Sequence, residues 1–431
     1  MLEYNRVMVF MMQSFRIVKN RKLQRLNEDL PNERGQIMLT KERTATLIEL
    51  CRKMVQTPSL SGQESEIAAL IKKTMDSWGF DDVVVDKYGS IIGRIKGKKP
   101  GKTLLFDGHI DTVDISDRSL WQHDPYGAEV VDGKIFGRGT SDMKGPVSAM
   151  IAAAAFFSKD TGKNFAGDVF LSCSVHEECF EGIAAREISK RVNPDYVVIG
   201  EASSLKLMRG QRGRAEIVVE TIGKTAHSAN PQLGKNAVYY MMRVIQAVKE
   251  IKLNREEVLG EGILELTDII SDPYPGASVV PNLCRVTYDR RTLTGETKDS
   301  VISQVQEAVN TLVKEDPELE ARVYFAQGEE KCWTGETIKA SRFYPAWLLD
   351  EQHELVQTAL KGLFSVGLKP ELSHWAFCTN GSHFAGEIGI PTIGFGPSHE
   401  CLAHVIDEYI EVEQLLKGCQ GYYGIISELL K

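Results

Sequence analysis

Apolar residues along most of this chain fall into two kinds of pattern, helical stripes and short unbroken runs. From Thr40 to Val55, the residues Leu47, Leu50, Cys51 and Val55 recur at helical spacing, and a second helix is predicted from Gln63 to Trp78, ended by Gly79. Val83 to Val85 and Ser90 to Ile95 read as a strand pair turning at Lys87-Tyr88-Gly89. Thr103 to Phe106, Asp168 to Val175, Tyr196 to Ile199 and Pro391 to Phe395 are then near-continuous apolar strands. Helices are predicted between and beyond them, at about Pro146 to Ser158, Gly182 to Arg191, Glu351 to Phe364 and Glu411 to Leu430. Strands apolar on both faces and alternating with helices predict an α/β fold, a mostly parallel sheet flanked by helices.

Near Arg212 the rhythm changes to strand Ala215 to Thr221, helix Lys235 to Lys252, strands Ile263 to Ile270 and Cys284 to Arg291, helix Thr297 to Val313 and strand Ala321 to Ala326. That βαββαβ order is the ferredoxin-like one, so an inserted domain is expected over residues 212–327, splitting the first domain into 40–211 and 328–431. Residues 1–39 read as an extension. Their apolar stretch, Val7 to Met12, lies between Arg6 and Arg16, is too short to span a membrane and lacks a small-residue cleavage site, and Met38 is the expected natural start. The basic run Arg94 to Lys102, interleaved with Gly and Pro, reads as a solvated hairpin turn.

With 431 residues, the chain exceeds what one ordinary core fills. A content of 42% hydrophobic and 26% charged residues is that of a globular protein, which sets disorder aside. The net charge of -8 argues against nucleic acid as the main partner, and no membrane association is expected. None of the eight cysteines forms a Cys-x-x-Cys pair, so neither a zinc ribbon nor a redox motif is present, and reduced thiols in a cytoplasmic setting are expected.

The chemistry gathers at strand ends. His109 follows the run ending at Phe106, Glu178 the run ending at Val175 and Glu201 the run ending at Ile199, while the loop beyond Phe395 brings His404. Asp142 closes the turn Gly137-Arg138-Gly139-Thr140-Ser141. Ligand sites of parallel sheets lie beyond the carboxyl ends of the strands, where each of these residues falls. His109 and Asp111, two apart in an extended segment, share a face, an imidazole beside a carboxylate that can orient it. Mixed His and carboxylate donors without Cys suit a catalytic divalent ion such as zinc, and two ions sharing a carboxylate fit the set better than one.

Gly108-His109-Ile110-Asp111-Thr112-Val113, Gly137 to Gly145, the Glu177-Glu178 pair, Glu201, and Ala403-His404 followed by Asp407-Glu408-Tyr409 together resemble the dinuclear-zinc amidohydrolase and peptidase family. That family includes succinyl-diaminopimelate desuccinylase, acetylornithine deacetylase, aminoacylase and glutamate carboxypeptidases, and the whole also resembles its subgroup linked by name to selenium metabolism. The resemblance implies two Zn²⁺ per subunit, with Co²⁺ or Mn²⁺ as substitutes. Asp142 would bridge them, with His109 and Glu201 on one ion and Glu178 and His404 on the other. Asp111 would support His109, and Glu177 would act as general base on a metal-activated water. Gly223-Lys224-Thr225-Ala226-His227-Ser228 resembles the family's lid motif, so His227 is expected to reach an active site, usually that of the other subunit of a homodimer formed through the inserted domain. Asn282 and Arg291 resemble the region that binds a substrate carboxylate, although Arg291 reads equally as a strand-end salt bridge. Where many relatives have a Gly-Gly-Thr-Asp type loop this chain has Thr379-Asn380-Gly381-Ser382-His383, and Asn380 and Ser382 are the expected substrate contacts there. The implied activity is hydrolysis of an amide bond in a small N-acyl amino acid or short peptide. A dipeptidase or carboxypeptidase, or a silent binding scaffold, is the alternative.

Overall fold

The hydroxyl of Thr40 accepts the N–H of Arg43 at 3.2 Å and starts helix α1 (Lys41–Val55), in a computed structural model that describes residues 39–431. The apolar stretch from Val7 to Met12 and the expected start at Met38 lie outside the described residues. Helix α2 (Ser65–Ser77) leads to strands β1 (Asp82–Val85), β2 (Ile91–Lys96) and β3 (Lys99–His109), then helix α3 (Lys144–Thr161), β4 (Ala166–Ser174), α4 (Ala185–Val192), β5 (Tyr196–Ile199) and β6 (Leu207–Gln211). A second unit follows: β7 (Gly213–Ile222), α5 (Ala237–Lys249), β8 (Ile263–Asp272), β9 (Leu283–Thr292), α6 (Lys298–Glu315) and β10 (Glu320–Phe325). The chain then returns through β11 (Trp347–Leu348), α7 (Glu354–Ser365), β12 (Leu372–Trp375), β13 (Thr392–Gly394) and α8 (Val412–Leu429).

The large sheet has the order β1-β2-β4-β3-β5-β13-β6-β11, with β12 also on β6. Its four middle strands, β4, β3, β5 and β13, are mutually parallel, and antiparallel neighbours lie on either side. Helix α3 packs against the sheet on one side and against α1 and α8 on the other, so it is buried along nearly its whole length. Only small side chains such as Ala149 and Ala152 to Ala155 allow that approach.

The basic run does not form the expected hairpin. Strand β4 lies between β2 and β3, antiparallel to one and parallel to the other, so the segment is a crossover over the start of β4. The interleaved glycines serve that crossing. Gly97 donates its N–H to the carbonyl of Gly167 at 2.9 Å, and a Cβ at Gly97 would stand 2.4 Å from that same oxygen.

The second sheet has the order β8-β9-β7-β10, all antiparallel, as the ferredoxin-like topology requires. Along β7, Ala215, Ile217 and Val219 face a core shared with α5 and α6, while Arg214, Glu216 and Glu220 alternate onto the open face. Only Arg212 separates β6 from β7, so the chain passes from one sheet to the other almost without a break. Beyond the expected boundary at 327/328, Phe343 and Tyr344 return to the second sheet, although the Tyr344 side chain packs in the first core. They pair with Ala215 and Arg214 of β7, and Phe343 belongs to the second core, because a fifth short strand covers what would be an open edge.

Gly394 of β13 lies under Trp375, whose indole N–H is tied to the carbonyl of Ala202 at 2.9 Å. A Cβ at Gly394 would stand 2.0 Å from that ring. Gly394→Ala is expected to lower stability by about 1–3 kcal/mol, the usual cost of overpacking, read as a lower urea midpoint with unchanged slope; an unchanged midpoint would show that the tryptophan gives way freely.

Candidate metal centre

The four parallel strands end along one edge, and their ends converge. His109 is the last residue of β3, the Glu177-Glu178 pair follows β4, Glu201 stands two residues beyond β5, and the loop from Gly396 to Asp407 follows β13. His109 Nε2 is 2.8 Å from Asp142 Oδ1 and 3.4 Å from Glu201 Oε1. His404 Nε2 is 3.2 Å from Asp142 Oδ2 and 3.0 Å from Glu178 Oε2. Asp142 thus stands between the two imidazoles, one oxygen toward each. Glu177 lies alongside, with Oε2 3.9 Å from His109 Nε2 and Oε1 buried without a partner.

The support of His109 differs in detail from the expectation. Its Nδ1 donates to the backbone carbonyl of Asp111 at 2.9 Å, whereas the Asp111 carboxylate is 3.6 Å away. That carboxylate instead accepts the N–H groups of Glu177 at 3.1 Å and Glu178 at 3.2 Å and the hydroxyl of Ser61 at 2.7 Å. Asp111 therefore orients the imidazole through its carbonyl and the acidic pair through its side chain. With Nδ1 engaged, Nε2 is left as the ligating nitrogen, the arrangement a metal-binding histidine needs.

The donor set suits divalent cations. Candidate ligand atoms of His109, Asp142 and Glu178, and separately of His109, Glu177 and Glu201, all lie within 4.8 Å of one another. Without a cation the acids repel. Burial, reinforced by the charge of Asp142, pushes Glu178 up to about 7, and burial together with Asp142 and Glu178 pushes Glu201 up to about 8 despite His109. Glu177 is raised well above the usual carboxylate range by burial, set against His109 and reinforced by Glu201 and Glu181. Hydrogen bonds from the two imidazoles hold Asp142 below its ordinary range despite burial, and bonds to Asp142 and Glu178 push His404 up to about 10. Protons occupy a place that divalent cations can fill.

Other expected site residues stand apart from this cluster. His227 is exposed on the loop after β7, its Nδ1 accepting the N–H of Ala229 at 3.0 Å. Asn282 lies nearby, its carbonyl accepting from Gly223 at 2.8 Å and its N–H donating to Asp272. Two of the expected substrate contacts have partners within the chain. The Arg291 guanidinium is bound to Asp289, with Nε 2.6 Å from Oδ1, since the pair sits two apart on one face of β9. Asn380 is buried, and its amide donates to Asp107 and Ser174, both at 2.8 Å, while its oxygen accepts the N–H of Gly182 at 2.7 Å, so both amide hydrogens are committed within the fold. Ser382 is buried at the start of a helical turn spanning Ser382–Glu387, and its N–H donates to Thr379. His123, His353 and His399 are engaged by Glu129, the N–H of Leu355 and Ser204 respectively.

Sequence reasoning assigned no role to Glu408 or Arg138, yet they form a fully buried ion pair at 2.7 Å behind Asp142. The signal was available. An arginine between two glycines, in a turn with no other charge before Asp142, needs a carboxylate partner if it is buried. A second omission is Arg214 on β7, which holds Glu181, Glu216 and Asp289 at 2.7, 2.6 and 2.9 Å and so ties the second sheet to the segment just beyond Glu178.

The profile of Peptidase family M20/M25/M40 matches residues 105–428. The chain belongs to this family. It is 33% identical over 393 residues to the uncharacterized protein YgeY of Escherichia coli K12, covering 90% of this chain and 94% of that one. A protein of Cereibacter sphaeroides named succinyl-diaminopimelate desuccinylase is 28% identical over 385 residues, covering 85% and 94%. Among solved structures, aminopeptidase PepT from Bacillus cereus superposes with a TM-score of 0.71 at 22% identity, over 91% of this chain and 99% of that one. The protein is a metal-dependent hydrolase acting on amide bonds. Among the described residues, no helix is long and apolar enough to cross a membrane.

Glu178, Glu201 and His404 all hold protons to higher pH in the folded metal-free centre than their ordinary values of 4.5 and 6.5. The folded state then binds more protons than the unfolded one, so the metal-free protein is expected to lose stability as pH rises from about 5 to about 10. Because ions take the place of those protons, the gain in Tm on adding zinc should be larger at pH 8.5 than at pH 6, as measured by calorimetry. An equal or smaller gain at the higher pH would contradict this coupling.

Proposed function

We propose that this hydrolase cleaves the amide bond of a small N-acyl amino acid or short peptide, with Glu177 as general base. The observation that carries the reading is the division of labour at the end of β4: Glu178 turns to His404, while Glu177 keeps a buried, unpartnered oxygen beside the ligand cluster. Two divalent ions, zinc or its substitutes cobalt and manganese, would be held by His109, Asp142 and Glu201 and by Asp142, Glu178 and His404, and would supply Lewis acidity to the scissile carbonyl. The Glu177 carboxylate takes a proton from the attacking water as its oxygen bonds to the carbonyl carbon. It then delivers that proton to the amide nitrogen as the C–N bond breaks, leaving a carboxylic acid and an amine. Eight free cysteines, with Cys401 exposed, agree with a reducing cytoplasmic setting.

The second sheet supports a homodimer and a role for His227 in trans. Its edge strand β8 exposes Ile263, Ile269 and Ile270, and the neighbouring helix α5 exposes Tyr239 and Met242. Apolar side chains on an unprotected edge are the material of pairing with a second copy. In such a dimer His227, on its exposed loop, would meet the developing oxyanion of the partner's substrate.

A panel of acetylated and succinylated amino acids and dipeptides tests the activity. Turnover of an N-acyl amino acid is expected, with Glu177→Gln keeping its metal and losing at least about a hundredfold in kcat. Turnover of dipeptides alone would move the reading to a dipeptidase, and near-normal kcat in the metal-replete variant would remove Glu177 from its role.

Mixing inactive His227→Ala and Glu177→Ala proteins tests donation between subunits. Heterodimers carry one intact composite site, so partial activity is expected. No recovery after verified subunit exchange would sink the assignment.

A further inference from the structure

Two of the candidate ligands, Asp142 and His404, arrive on loops from opposite ends of the sequence, and neither loop is regular. His404 has φ 62° and Asp407 has φ 54°, both in the left-handed region that non-glycine residues avoid. His404 is half exposed, so packing does not fix it. Something must hold both loops in register if their side chains are to share a site.

Glu408 is placed to do so. It is fully buried, four residues past His404, and its carboxylate accepts from the turn that ends at Asp142. One oxygen accepts the N–H of Ser141 at 2.7 Å and that of Asp142 at 3.1 Å, and the other accepts the N–H of Gly139 at 3.0 Å and Arg138 Nη1 at 2.7 Å. The link runs both ways. The Glu408 carbonyl accepts the N–H of Gly137 at 2.8 Å, and Arg138 Nη1 reaches back to the carbonyl of Val405, next to His404, at 3.3 Å. A single side chain thus collects three consecutive-turn amides and a guanidinium, and the same residue is part of the loop that carries the second imidazole.

From this geometry we infer that Glu408 is a positioning residue for the metal centre: it sets the separation of Asp142 and His404 and thereby the affinity for the ion they share. Rigid backbone on both sides of the pair matters because a bridging carboxylate serves two ions only within a narrow range of angle and distance. Replacing the carboxylate with an amide removes the charge opposite Arg138 and turns a donor group toward amides that are themselves donors. Asp407 offers the contrast. It lies in the same loop and caps the N–H groups of Gln122 and His123 at 2.9 and 3.0 Å, without touching the turn at Asp142.

The inference rests on the metal-centre reading, and the experiment separates the two. Zinc stoichiometry and dissociation constants are measured by competition with a chromophoric chelator for the wild type, Glu408→Gln and Asp407→Asn, with far-UV circular dichroism and metal-free Tm recorded alongside. A wild type that takes up no zinc overturns the metal centre and this inference with it. Given a zinc-binding wild type, Glu408→Gln is expected to keep the native spectrum and to bind at least one zinc about tenfold to a hundredfold more weakly, the range typical for partners of metal ligands, while Asp407→Asn stays near wild type. Wild-type affinity in Glu408→Gln, whatever its Tm, overturns the inference, and so does equal weakening in Asp407→Asn. Should Glu408→Gln not fold, the double variant Arg138→Met, Glu408→Leu removes both charges without leaving either one alone. Folded protein with weakened zinc binding then supports the role, and folded protein with wild-type affinity refutes it.

Discussion

Mutual repulsion among buried acids is the constraint around which this molecule is arranged. Asp142, Glu177, Glu178 and Glu201 meet beyond the strand ends with two imidazoles among them, and burial pushes the three glutamates toward their protonated forms. Holding such a group together takes backbone that cannot relax. The parallel strands β3, β4, β5 and β13 supply it, since each is hydrogen-bonded on both sides, and Glu177, Glu178 and Glu201 follow on the ends of β4 and β5 while the turn before α3 brings in Asp142. Acids that are not aimed at the centre are neutralised locally: Asp111 by the amides of Glu177 and Glu178, Asp107 by Asn380, Glu408 by Arg138 and the amides beside it. The centre is a concentration of negative charge on a scaffold in which Asp107, Asp111 and Glu408 already have their own partners.

The sequence was informative where one physical signal dominated. Runs such as Thr103 to Phe106 and Tyr196 to Ile199 are apolar on both faces, so they had to be interior strands, and whatever followed them had to lie along one edge of the sheet. His109, Glu178, Glu201 and His404 could be read for that reason. What the sequence hid were pairings chosen in three dimensions. Nothing local shows that β4 would insert between β2 and β3, because the register of a crossover is decided by the two glycines passing over Gly167 and not by strand propensity. Asn380 in a Thr-Asn-Gly-Ser loop resembles a surface contact, and only the buried Asp107 across from it turns it into an internal tie. Strand β6, with Arg209 and Gly210 in its middle, is too short and too polar to stand out until β13 and β12 are seen on either side of it.

One link described in the fold bears on mechanics. Arg212 is the only residue between β6 of the first sheet and β7 of the second, and it is fastened on both sides, its N–H to the carbonyl of Trp375 at 3.3 Å and its Nε to that of Leu259 at 2.9 Å. The return crossing at Arg342 is fastened too, to Ala326 and to the carbonyl of Cys179, one residue from Glu178. A unit attached in this way behaves as the far end of a stiff ribbon rather than as a weight on a string. Through Arg342 and Arg214 its sheet is also tied to the segment that runs on from the acidic pair, at Cys179 and Glu181.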